Sequence, residues 1–199
     1  MMFMMGRRYT VPELVIQGRP EDAKELAEKM VTELRSLYEK LRVDNIRDLL
    51  RKLSEHGVSS ELFARFYSAY TILFCIPVGS IMSGSGIYMV YFPIVFLDKL
   101  HREHGEKVLE QYIVYTILGE DRVDRQYLEH VVKVHDEVKE CVAKLLDDLV
   151  MGRYSIDKYI SDLREDVKHA VQIRKVFSLA LASTVFRLLQ GNENVNLHN

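Results

Sequence analysis

Between Arg65 and Asp98 the chain carries no charged side chain. A run of that length must be enclosed by protein, enclosed by lipid, or broken into shorter pieces. Small residues divide it in the middle: Gly79, Ser80, Ser83, Gly84, Ser85 and Gly86. The two halves, Ile72–Met82 and Ile87–Leu97, each fall short of the roughly 20 apolar residues that a membrane-spanning helix needs. Pro77 and Pro93 would kink them further, and the flanking charges show no positive-inside bias. The run therefore predicts a central apolar helical hairpin, uncharged on every side because other helices surround it. A membrane-associated protein is the competing expectation, and these lengths disfavour it.

The rest of the chain reads as helix. Pro20 suits a first helical position, and Glu21 and Asp22 follow where carboxylates favour the helix dipole. Ala23, Leu26, Ala27, Met30, Leu34, Leu37, Tyr38 and Leu41 then keep three/four spacing. Asp44 is the expected cap of a second helix that Gly57 ends, and Ser59 or Ser60 the expected cap of a third. Two long seams come later. Leu128, Val131, His135, Val138, Val142, Leu145 and Leu149 form a heptad stripe, and Ser155 opens a last helix along Ile160, Leu163, Val167, Phe177, Leu181 and Leu188. These seams predict an antiparallel helix pair. The expected fold is an all-α single domain over residues 1–199, with about six or seven helices around the central hairpin. Residues 1–18 are expected to be an irregular arm, since Pro12 interrupts an early helix, and residues 191–199 a flexible tail.

Composition narrows the function classes. Lys+Arg number 27 against Asp+Glu 29, so only a local patch could draw nucleic acid or an anionic surface. Asn and Gln are sparse among many Arg, Lys and Glu, a heat-adapted pattern that predicts a thermophilic source. Cys75 and Cys141 stand far apart with no metal-finger spacing, which predicts reduced thiols. The Met-rich start is interrupted by Arg7 and Arg8 before a secretory core can form, so the expected location is cytoplasmic.

Several constellations have chemical potential. Asp98, His101 and His104 lie three apart on one helix, a spacing that lets neighbouring pairs share a metal, and Asp166 with His169 repeats it. His135–Asp136, with histidines upstream and aspartates downstream, matches the order of metal-dependent phosphohydrolases. Arg125 to His130 and Arg164 to His169 share an Arg-x-x-x-x-His spacing similar to the active-site motif of helical HEPN ribonucleases. Each also has a plainer reading, as a solvated helix end or a seam histidine, and no cofactor is expected. The basic residues Arg42, Arg47, Arg51 and Lys52 on one helix, and Lys168, Arg174 and Lys175 on the last, are the candidate nucleic-acid contacts. Their interleaved acids also fit a solvated face.

One family resemblance spans about half the chain. Tyr67 or Tyr70, then Pro77, an apolar run, Gly84 and an aromatic-rich helix ending at Lys99 resemble the small all-helical subunit of type III CRISPR effector complexes. Tyr159–Leu189, ending near Arg187, resembles that family's closing helix. Ser83-Gly84-Ser85 stands where the family has Asn-Gly-Leu, and Pro93 falls inside the helix that should follow. The resemblance implies a non-enzymatic subunit that stacks along a guide-RNA complex and offers a basic face to the target strand. The expected role is thus an interaction or scaffold subunit, with a protein partner or a second copy on its helical seams and nucleic acid as a further candidate partner. A helical ribonuclease or phosphohydrolase is the alternative.

Overall fold

The uncharged run is a β-hairpin. In the computed structural model, which describes residues 8–196, β1 (Cys75–Ser83) pairs antiparallel with β2 (Gly86–Pro93), and the two are joined through Gly84 and Ser85. The expected helical hairpin is corrected on two counts, its secondary structure and its burial. Ile76, Val78, Ile87, Tyr88, Val90, Tyr91 and Phe92 are β-branched or aromatic, and such side chains sit well on a pleated surface. A small-residue break between two runs of this kind is a hairpin signal. Pro77 has no N–H to give a ladder, and the register slips beside it, with Pro77 opposite Tyr91 and Gly79 opposite Val90.

Only the base of the hairpin is buried. Cys75, Ile76, Phe92, Ile94 and Val95 join the core, and Ile94 N–H donates to the Phe74 carbonyl at 2.8 Å. Towards the tip, Ile81, Met82, Ile87, Tyr88 and Met89 are exposed.

The remainder is helical, as expected for an all-α single domain. α1 (Val11–Ile16) corrects the irregular arm expected over residues 1–18 at those positions, while residues 1–7 of it lie outside the described residues. Thr10 caps the helix, Glu13 reaches back to the Thr10 N–H at 2.9 Å, and Pro12 sits in the first turn, where its missing N–H costs nothing. α2 (Pro20–Leu41) buries Ala23, Ala27, Val31, Leu34, Leu37 and Tyr38, which lie on the stripe read from the sequence or beside it. α3 (Ile46–His56) is capped by Asn45, one residue beyond the expected Asp44. α4 (Glu61–Phe74), capped by Ser60, leads into the hairpin.

After the hairpin come α5 (Leu97–His104), α6 (Glu106–Leu118) and α7 (Arg125–Val150). α8 (Ile156–Asp166) is capped by Ser155 and passes through a 3-10 turn (Val167–His169) into α9 (Ala170–Asn196). α9 continues through Gly191 to Asn196, so residues 191–196 of the expected tail are helical; residues 197–199 lie outside the described residues. The expected antiparallel pair of long seams is not what forms. α7 packs on α2, α3 and α6, while α8 packs on α1, α2 and α5, and α9 packs on α6 and β1. The seams meet other elements instead of each other, and the distal end of the last seam, at Leu188, is exposed.

Two side chains, one buried and one half-buried, tie this core together through hydrogen bonds. The Tyr159 hydroxyl donates to the Leu73 carbonyl at 2.5 Å. Asp147 of α7 accepts from the Tyr38 hydroxyl at 2.9 Å and from Ile46 N–H at 2.7 Å, so one carboxylate joins α2, the start of α3 and α7.

Candidate functional site

α5 is short, but chemically reactive side chains gather on both its flanks. On one flank it meets the 3-10 turn between α8 and α9. Asp166 accepts from Phe96 N–H at 3.0 Å and Asp98 N–H at 2.9 Å, and the His101 and His169 rings lie 5.3 Å apart. The two Asp-x-x-His spacings read from the sequence therefore face each other in register. Their chemistry is structural on the carboxylate side. Phe96, the residue before α5, has φ 69° and gives no side-chain cap, so Asp166 supplies the cap from another helix. Burial pushes the Asp166 carboxyl up to about 7, against the pull of those two N–H donors. Asp98 is engaged by Arg102 at 2.8 Å. Burial also lowers the His169 imidazole below its ordinary range.

The other flank faces α7. His104 Nδ1 and His130 Nε2 are 3.0 Å apart, and His104 Nε2 lies 3.8 Å from Glu137 Oε2. Glu103, His104 and Glu137 bring ligand atoms within 4.8 Å of one another, the one such metal-capable group among the described residues. Lys99 reaches the same carboxylates, at 3.3 Å from Glu137 and 4.0 Å from Glu103. Of the metal-ligating residues expected from sequence, His104 is therefore in this group. Asp98 and His101 face the opposite flank, and His135 is elsewhere on α7. His135 is half-buried against Tyr112 and Tyr115, and burial lowers its pKa. Asp136 points to solvent and pairs with Lys139. Glu103, Glu137 and Lys99 were missed, although a signal for Glu137 existed: it follows His130 by seven residues, two turns along one helix face.

The Arg-x-x-x-x-His spacings do not assemble. Arg125 begins α7 and His130 follows on the same unbroken helix, where five residues turn the face by about 140°. Arg164 is exposed on α8, while His169 turns in toward His101.

Most of the basic candidates have protein partners. Arg47 pairs with Glu140 at 2.5 Å, Arg51 with Glu55 at 3.0 Å, and Lys168 with Glu165. Lys52 Nζ donates to the Leu41 carbonyl at 2.6 Å, at the end of α2, and Arg174 Nε to the Pro77 carbonyl at 3.4 Å. Arg42 is the left-handed residue that terminates α2, and Lys175 is exposed on α9.

The largest unassigned feature is apolar. Phe177 of α9 packs on Gly79 so closely that a Cβ there would lie 2.3 Å from its ring. Arg174 meets Pro77 and Phe177 meets Gly79, so helix and strand advance in the same direction. Beyond that contact the hairpin tip and the distal half of α9 are both exposed. Met82 is 85% exposed, Ile87 68%, Phe186 60% and Leu188 66%, with Leu179, Val185 and Leu189 also outward. No described helix is long and apolar enough to cross a membrane. No protein-family model matches this chain, and no curated protein or solved structure does either.

Proposed function

We propose that this chain is a non-enzymatic interaction subunit that self-associates through the ridge formed by the hairpin tip and the distal half of α9. The observation that carries the proposal is the exposure of that ridge. Ten side chains of Ile, Met, Tyr, Leu, Val and Phe stand out from it. At about 100 Å² each they expose roughly 1,000 Å², against the about 800 Å² per partner that a standard stable interface buries. Exposed apolar surface of this extent marks an interaction site.

A second copy is the occupant that fits. The hairpin is a two-stranded ribbon, marginal alone and with unpaired edges that a like strand can extend. From Val176 to Gln190, Arg187 is the one charge, so a two-fold contact buries little that repels. This moves the expected docking surface from the whole of the heptad seams to the distal part of the last one, where Leu188 is exposed, together with the hairpin tip.

Light scattering on the purified chain across a concentration series tests the proposal. The expected species is a dimer that Met82→Lys and Phe186→Glu each convert to monomer while far-UV circular dichroism stays that of the folded chain. Both side chains are exposed, so neither change touches the core. A wild-type chain that stays monomeric at the highest concentration would refute self-association, as would variants that dimerise like the wild type.

A further inference from the structure

We infer a divalent transition-metal site, of the Zn²⁺ class, between α5 and α7, with His104 Nε2, Glu103 and Glu137 as ligands. The argument begins with one atom. His104 Nε2 is shielded from water and has no hydrogen-bond partner, while the other ring nitrogen is engaged by His130 at 3.0 Å. If the proton sits on Nδ1 and is donated to His130, the Nε2 lone pair faces Glu137 Oε2 at 3.8 Å with no donor between them. If the proton sits on Nε2, it finds no acceptor within hydrogen-bond reach. Either tautomer leaves a shielded polar atom unsatisfied, which native proteins avoid.

A cation between the imidazole and the two carboxylates resolves the first arrangement. Ligand atoms around a zinc-sized ion lie about 3.4 Å apart, given bonds of 2.0–2.2 Å. The three donors already fall within 4.8 Å of one another, and rotation of two glutamate side chains closes the difference. An imidazole with carboxylates suits Zn²⁺ and its neighbours better than Ca²⁺ or Mg²⁺, which prefer oxygen alone. His130 then acts from the second layer, accepting the Nδ1 proton and fixing the ring, as partners of metal-bound histidines commonly do.

Lys99 makes the inference testable from two directions. Its ammonium sits against both carboxylates and competes for the same place. Zinc titration of the full metal-stripped chain by calorimetry, with Co²⁺ absorption as a second readout, should find one ion per chain. Glu137→Gln and His104→Ala should each weaken binding by about 10-fold or more, and Lys99→Met should tighten it. Far-UV circular dichroism of the metal-free variants establishes that they fold. If His104→Ala does not fold, Glu137→Gln, on a partly exposed side chain, carries the test alone. Absence of saturable binding by the wild type, unchanged affinity in Glu137→Gln, or weaker binding in Lys99→Met would each overturn the site.

Discussion

The contact between Asp166 and the start of α5 sets two effects of opposite sign against each other. Two backbone N–H groups at a helix N-terminus favour the carboxylate. Burial, with Asp98 and Asp162 nearby, favours the neutral acid and prevails, so the group titrates near 7 instead of near 3.8. That gap corresponds to about 4 kcal/mol. Between about pH 4 and pH 7 the folded chain holds a proton that the unfolded chain has released. Stability from this group therefore falls as pH rises through that window and is flat on either side. Asp166→Asn removes the titration and keeps one oxygen to accept a backbone N–H. At pH 4 the amide and the protonated acid are near equivalents. By pH 8 the balance should have shifted by about 4 kcal/mol in favour of the Asn variant. Guanidinium unfolding of both proteins at each pH measures the difference, in which the titrations of the other groups cancel. A difference that stays flat from pH 4 to pH 8 would refute the reasoning. So would one that moves in favour of Asp, since the α5 donors would then outweigh burial.

Gly79→Ala should destabilise the fold by about 1–3 kcal/mol, read as a lowered melting temperature, because its Cβ would meet the Phe177 ring at 2.3 Å; combining it with Phe177→Ala should recover part of its own penalty. Asp147→Ala should cost about 2–4 kcal/mol in denaturant unfolding, since Tyr38 and Ile46 both lose their acceptor. The two thiols, both free, should separate by reactivity. Burial pushes Cys75 up to about 12, so a thiol reagent at pH 8 should label Cys141 in the native chain and Cys75 only on unfolding. Prompt native labelling of Cys75 would contradict its burial.

The helices were legible because their signals are local. Pro20 with Glu21 and Asp22, the Ser60 and Ser155 caps, and the Ala23–Tyr38 stripe all act within a few turns, and each appears where the sequence put it. The hairpin was not legible from its lack of charge, because that determines neither burial nor helix. The residue types around the break were the better guide: Ile87, Tyr88, Val90, Tyr91 and Phe92 favour strand, and Gly84–Ser85 favours a tight turn. Pro12 is a similar case. It opposes a helix interior but suits a first turn, and the reciprocal Thr10–Glu13 bonds were available to identify that turn.

The α5 flanks were half legible, and the missing half is a matter of what a helix period can convey. Spacing places His130 and Glu137 on one face of α7, and Asp98 with His101 on one face of α5. It cannot say which face meets which. That pairing is set at a distance. Asp166 fixes the start of α5 by binding Phe96 and Asp98 N–H, so α5 leaves the hairpin in one direction only. The same anchoring turns His101 toward His169 and His104 toward His130. A capping carboxylate some seventy residues away in sequence thus decides which histidines share a flank. It also explains why the matching Asp-x-x-His pairs, the more suggestive motif on paper, are the less suited to hold a metal: the carboxylate that would ligate is already committed to the backbone of α5. The ion-binding potential passes to Glu103, His104 and Glu137, which no motif joins and only packing brings together.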